Sequence, residues 1–212
     1  MNQISTLAER RAARLARGAT APAPTHIQVR RSTADGDVVH IVQGEQFVSE
    51  DANLVIATLL GSCVAACLRD PVASVGGMNH FLLPGSDSTH GERENLGIGV
   101  HAMELLVNAL LSHGARRERI EAKLFGGANV VAGLTSVGEK NARFAEEFLR
   151  REGIQHVGGS LRGDAGRRLQ FWPVSGRARQ VFMGSTAPEL IARETRPIVA
   201  PKTEDSGALE LF

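Results

Sequence analysis

The dipeptide Asp70-Pro71 divides an apolar stretch of this chain and decides how that stretch can fold. Upstream lies SCVAACLRD, residues 62–70; downstream lies VGGMNHFLL, residues 75–83. Asp-Pro is a turn signal, because proline has a fixed φ and no backbone N–H to continue a ladder. Two apolar runs about such a turn form an antiparallel hairpin. With the turn centred near Val72, paired positions sum to about 143, which puts Cys63 opposite His80. Directly opposed residues share a face, with Cβ atoms roughly 4.5–5.5 Å apart. A short helix opened by Gly61-Ser62-Cys63 is the other local reading, favoured by Ala65 and Ala66. It would put Cys63 in a partly positive first turn. The strand is preferred, since Pro71 leaves too few residues for a stable helix.

The rest of the chain supplies further strands and two helices. Strands are expected at HIQVRR (26–31) and DVVHIVQG (37–44), with a buried strand at NLVIATLLG (53–61). DSTHGEREN (87–95) is polar and reads as an exposed loop. Residues 99–115 predict a helix with Val100, Met103, Leu106, Val107 and Leu110 on one stripe and Gly114 as its stop. IEAKLFGGA (120–128) reads as a strand ending in two glycines, and residues 138–153 as a second amphipathic helix. That helix carries Phe144 and Phe148 on one face and Gly153 as its C-cap. Three short strands follow, in IQHVGG (154–159), RLQFWPV (168–174) and RARQVFM (177–183). Strands, helix, strand, helix, strands is the order of an α+β, or mixed α/β, domain. Its expected bounds are 27–186, after a basic arm (1–26) and before an extended tail (187–212). Neither helix shows a spare apolar face, which favours a monomer.

Composition narrows the function. Of 212 residues 42% are hydrophobic, which is a globular rather than a disordered balance. No apolar run approaches the roughly 20 residues of a membrane helix, and the basic N-terminus has no apolar secretory core. A cytoplasmic protein that inserts in no membrane is expected. A formal net charge of +1 gives no bulk attraction to nucleic acid, and eight Phe, one Trp and no Tyr offer few stacking platforms. Two cysteines in a reducing compartment are thiols.

Those thiols differ in setting. Cys67 sits in an apolar run and reads as a small buried hydrophobe. Cys63 follows Gly61-Ser62, where glycine lets the backbone approach a ligand closely. The N–H groups of Ser62 and Cys63 can point at a developing oxyanion, and His80 can share a proton with the thiol. A shared metal is disfavoured. On a strand, positions 63 and 67 lie roughly 13 Å apart, whereas two sulfurs on one zinc lie within about 4 Å of each other. Neither metal nor cofactor is therefore expected. His90 reads as a solvated loop residue and His101 as a structural residue opening the first helix.

LLGSCVAACLRDP followed by GGMNHFLLP closely resembles the signature of the CheD chemoreceptor glutamine deamidases. The resemblance continues through HAMELLVNALLSHGA, EAKLFGGA, GEKNARFAEEFLRREGI, GRRLQF and SGR, over roughly residues 40–183. It implies a layered α/β/β sandwich of largely antiparallel strands with two main helices, like the cytotoxic necrotizing factor class of toxin deamidases. It implies a protein-glutamine glutaminase that converts chosen glutamines of methyl-accepting chemotaxis receptors to glutamate, with release of ammonia. The family's nucleophile maps onto Cys63, its histidine onto His80 and its third residue onto Thr58. Thr58 stands one residue nearer the Gly61-Ser62-Cys63 turn than its counterpart in some relatives. The implied partners are the cytoplasmic domains of those receptors and the CheC phosphatase. A chain of this kind that had lost catalysis would remain a chemotaxis adaptor.

Overall fold

The computed structural model describes residues 30–33, 36–83, 92–129 and 135–183. The basic arm, the tail, His90 and most of the polar segment before the first helix lie outside these residues. Ten strands are described: β1 (Arg30–Thr33), β2 (Gly36–His40), β3 (Gln46–Ser49), β4 (Val55–Leu60), β5 (Val64–Asp70), β6 (Val75–Asn79), β7 (Glu121–Gly126), β8 (Gln155–Leu161), β9 (Arg167–Trp172) and β10 (Arg177–Phe182). Two helices accompany them, α1 (Glu92–Ser112) and α2 (Thr135–Glu152).

The strands form two five-stranded sheets. The outer sheet has the order β1-β2-β4-β9-β10, and the middle sheet the order β3-β6-β5-β7-β8. Only β2–β4 and β7–β8 are parallel; every other pair is antiparallel. The alternation of β5 assigns its faces. Val64, Ala66 and Leu68 pack with Met103, Leu106, Val107, Leu110 and Phe148 of the helices. Ala65 and Cys67 join Cys63, Met78, Ile56, Leu169 and Phe171 between the two sheets. The layers therefore run helices, middle sheet, outer sheet, as the α/β/β expectation has it. β5 is apolar on both faces because it is covered on both.

The hairpin forms, but its register differs from the expected one. Cys67 pairs with Met78 and Asp70 with Val75, so Pro71–Ser74 make a four-residue turn. The Asp70 carboxylate builds that turn by accepting the N–H groups of Val72 (2.9 Å) and Ala73 (3.1 Å). The two extra turn residues move every pair by two. The Val64–Phe81 bridge keeps the same register, so His80 is opposite Ala65, and Cys63 is its diagonal neighbour on the same face. The direct Cys63–His80 opposition is thus corrected to a diagonal one. Asp70 is fully buried, and Arg119 and the Arg116 N–H hold its other oxygen. Burial pushes its pKa up, but Arg119 and the three backbone donors more than offset this and hold it well below the usual carboxylate range.

Helix α1 also departs from expectation. It begins at Glu92, inside the segment read as loop, so His101 lies well within the helix, and it is exposed there. Val100 is 41% exposed, and the inward stripe runs through Gly99, Met103, Leu106 and Leu110. Gly99 allows the close approach: a Cβ there would stand 2.5 Å from Leu83 and 2.7 Å from the Phe144 ring. Leu96, Ile98 and Leu105 are exposed as well, so α1 does carry spare apolar surface. Strand β3 and a single 3-10 turn at Arg117–Arg119 are the described elements that the sequence pattern missed.

Candidate active site

The chain passes from the outer to the middle sheet in three residues, Gly61, Ser62 and Cys63, between β4 and β5. All three carbonyls of this crossover are held. Ala128 N–H donates to Gly61 O (2.9 Å), the Asn141 carboxamide to Ser62 O (2.9 Å), and Gly127 N–H to Cys63 O (2.8 Å). The paired glycines that end β7 make this possible. Gly126 has φ +108°, and a Cβ on it would lie 2.1 Å from Cys63 O. Any side chain there would drive the crossover off its seat.

His80 follows β6 directly, and its backbone changes partners. At the preceding residue the Asn79 side chain, not its backbone, accepts Ala66 N–H (3.0 Å). The His80 backbone instead donates to Glu45 O (3.0 Å) and accepts from Gly44 N–H (2.8 Å). Those residues belong to a turn between β2 and β3, which the Glu45 carboxylate closes by accepting Val42 N–H (2.8 Å). His80 is 6% exposed, and its Nε2 is buried.

Thr58 comes from the outer sheet, on β4. Its hydroxyl donates to Ile41 O at 2.8 Å, and its oxygen lies 2.8 Å from His80 Nδ1. A hydroxyl has one proton to give. With that proton on Ile41 O, Thr58 Oγ1 must accept from Nδ1–H. The imidazole is thereby fixed with its proton on Nδ1 and its lone pair on Nε2, the form that can take a proton from a neighbour. Thr58 is 4% exposed, so this bond is shielded from water.

Cys63 is 3% exposed and lies against the inter-sheet cluster. Its register places it diagonal to His80, with Cβ atoms roughly 7 Å apart, a gap that an imidazole and a thiol can close. Its Sγ–H donates to Gln43 Oε1 at 3.6 Å. Cys67 is 2% exposed, and burial pushes its thiol far up, offset only in part by Lys123. The structure thus brings Thr58 and His80 into contact, sets Cys63 beside them, and leaves Cys67 in the core. It places Gly61 and Ser62 in the crossover that carries Cys63. Gln43 and Asn141 are additions to the residues read from sequence. Asn141 left one trace there, as a polar residue on the same helical face as Ala145 and Phe148. Gln43 left none beyond a glycine after it. Among the described residues no cluster of three or more His, Cys, Asp or Glu side chains could hold a metal ion.

Three comparisons bear on this arrangement. A family profile described as CheD chemotactic sensory transduction matches residues 82–181. A protein of Acidiphilium cryptum strain JF-5 named "Probable chemoreceptor glutamine deamidase CheD" is 58% identical over 178 residues, 82% of this chain and 93% of that one. Proteins of the same name are 56% identical in Rhizobium leguminosarum bv. trifolii strain WSM2304, over 82% of this chain and 95% of that one, and 57% identical in Agrobacterium fabrum strain C58, over 77% and 91%. Among solved structures, the Bacillus licheniformis hypothetical protein YfiH overlays at a TM-score of 0.35 with 14% identity, over 54% of this chain and 49% of that one. That likeness is too loose to carry an argument.

Proposed function

This chain belongs to the CheD family, and from that premise we propose that it is a chemoreceptor glutamine deamidase whose chemistry runs through Cys63, His80 and Thr58. The observation that carries the residue roles is the chain of hydrogen bonds from Ile41 O through Thr58 to His80 Nδ1, which leaves the ring's Nε2 as a base. The Gln43 carboxamide at Sγ adds support, since a glutamine side chain fits against this thiol.

Amide nitrogen is a poor leaving group, and a covalent intermediate divides its expulsion into two easier steps. His80 Nε2 takes the Cys63 proton as Sγ bonds to the glutamine Cδ. The carbonyl electrons move to oxygen, where the N–H groups of Ser62 and Cys63 receive the charge. As the carbonyl re-forms, the C–N bond breaks, and the imidazolium gives its proton to the departing nitrogen. Ammonia leaves, and Cys63 holds a thioester. Neutral His80 then takes a proton from water as its oxygen bonds to Cδ; the C–S bond breaks, the sulfur is reprotonated, and glutamate is released. No metal or cofactor enters these steps. Thr58 holds the ring orientation and tautomer throughout.

The substrates are the cytoplasmic domains of chemotaxis receptors, which places this protein in the cytoplasm. No described helix is long and apolar enough to cross a membrane. Docking to the CheC phosphatase, without nucleic acid, completes the reading. It is tested by incubating the protein with purified receptor cytoplasmic fragments, measuring ammonia and mapping the converted glutamines by mass spectrometry. Conversion by the unsubstituted protein and none by Cys63→Ala is the expected result. Receptor binding without ammonia release from either protein would leave only an adaptor.

A further inference from the structure

Asn141 lies near the start of α2 and is fully buried. Its neighbours on that face are apolar: Ala142, Ala145, Phe148 and Leu149. A carboxamide survives in such a place only when both its ends are paired. Here Nδ2 donates to Ser62 O at 2.9 Å, and Oδ1 accepts Leu83 N–H at 2.8 Å. The two partners fix the amide's orientation, because a carbonyl needs a donor and an N–H an acceptor. One side chain therefore ties the residue before Cys63 to the segment just after His80.

The first of these bonds also aims a peptide. In a planar trans peptide the C=O and the following N–H point in opposite directions, and the described residues contain no cis peptide. Ser62 O is held toward Asn141, so Cys63 N–H points away from α2. Gly61 O is held toward Ala128, so Ser62 N–H points away from Ala128. The Cys63 side chain lies on the inter-sheet side as well, with Sγ at Gln43. The Cys63 thiol and the Cys63 N–H thus lie on the side remote from α2.

We propose that Asn141 is a positioning residue for the deamidation: by holding Ser62 O it aims the Cys63 N–H at the oxygen of the tetrahedral intermediate. This rests on the deamidase reading above. Its consequence is specific. Acyl transfer builds charge on a carbonyl oxygen, whereas alkylation of the same sulfur by iodoacetamide does not. Loss of the aim should slow the first and spare the second.

Asn141→Asp keeps an acceptor for Leu83 N–H but sets an acceptor against Ser62 O. Asn141→Ser is neutral and too short to reach it. In either folded variant kcat on receptor fragments should fall about 10²–10³-fold, with KM and the iodoacetamide rate of Cys63 unchanged. Unchanged kcat, or equal losses in kcat and alkylation, would overturn the proposal, the latter because it marks a merely structural residue. Should both variants fail to fold, the unsubstituted protein decides. Adding a peptide aldehyde built on a glutamine side chain forms a hemithioacetal on Cys63, and the Cys63 amide proton should move downfield in the NMR spectrum. A resonance that stays put overturns the aim. Absence of ammonia from the unsubstituted enzyme would sink the deamidase reading itself, whereas equal ammonia from enzyme and variants would sink only the role of Asn141.

Discussion

Cys63 and Cys67 make an internal control. Both are thiols, both lie on the inter-sheet side, one just before β5 and one within it, and both are almost completely buried, at 3% and 2% exposure. Exposure does not tell them apart; what meets each sulfur does. Cys67 is in mid-strand, paired between Met78 and Lys123, and its sulfur is enclosed by the apolar inter-sheet cluster. Burial there strongly disfavours the thiolate. Cys63 stands where the chain changes sheets, so three other segments converge on it: the turn with Gln43, the end of β6 with His80, and the glycine-rich end of β7. A strand end recruits polar neighbours that a strand middle cannot, because mid-strand backbone groups are spent on the ladder.

The two cysteines should separate most widely in turnover. Cys63→Ala should abolish ammonia release from receptor fragments, whereas Cys67→Ala should stay within a few-fold of the unsubstituted protein. Measured side by side, equal losses would erase the contrast and return both sulfurs to one site. The next largest effect falls on His80, the proposed base. His80→Ala should lower kcat by about 10²–10⁴-fold and slow the alkylation of Cys63 by iodoacetamide at neutral pH. Cys67 should resist the reagent in every folded variant. A Cys63 alkylation rate indifferent to His80 would show that the ring does not share the thiol's proton.

Much of this was legible from residue types and order. The Asp70-Pro71 turn, the strand nature of Val64–Asp70 and the two helix ends at glycine all follow from local rules, and both helix-ending glycines have positive φ, Gly114 at +87° and Gly153 at +65°. The hairpin register did not follow, because it depends on how many N–H groups the Asp70 carboxylate gathers, a tertiary matter that also involves Arg116 and Arg119. Two added turn residues moved the Cys63–His80 relation from direct to diagonal without changing the face. The inward stripe of α1 was misjudged at Val100 because hydropathy alone cannot show that the helix packs against Leu83 and the Phe144 ring through Gly99. Gln43 and Asn141 reach their partners in the site across 20 and 79 residues of chain, which no local pattern encodes. Thr58 could be mapped by family resemblance, but its bond to His80 joins two different sheets and is visible only in the fold.

That bond sharpens the contrast further. Thr58→Val keeps shape and removes the acceptor for Nδ1–H, so the ring loses its fixed tautomer while Cys63 stays in place. A buried hydrogen bond to a ring that becomes charged is worth enough to predict a fall in kcat of about 10–100-fold. The loss should be shallower than that of His80→Ala, and Thr58→Ser should recover most of it. Should Thr58→Ser be as slow as Thr58→Val, packing of the methyl rather than the hydroxyl bond would be what matters.

The smallest effect belongs to Cys67, and it should appear in stability rather than in rate. Cys67→Ala removes one sulfur from the inter-sheet core and should cost about 1 kcal/mol, the order of a small deleted buried group. Cys67→Ser keeps the volume closer but puts a hydroxyl among Met78, Leu169 and Phe171, and should cost about 1–3 kcal/mol. Urea midpoints should therefore rank the native protein above the alanine variant and the alanine above the serine, with turnover nearly level across all three. At Cys63 the same pair of substitutions should do the opposite, removing turnover and moving the midpoint little, since the sulfur there sits at a strand end whose carbonyls stay anchored by Gly127, Ala128 and Asn141. A serine at position 67 that stabilised the fold would mean the sulfur's surroundings hold a polar partner, and the sharp division between the two thiols would have to be redrawn.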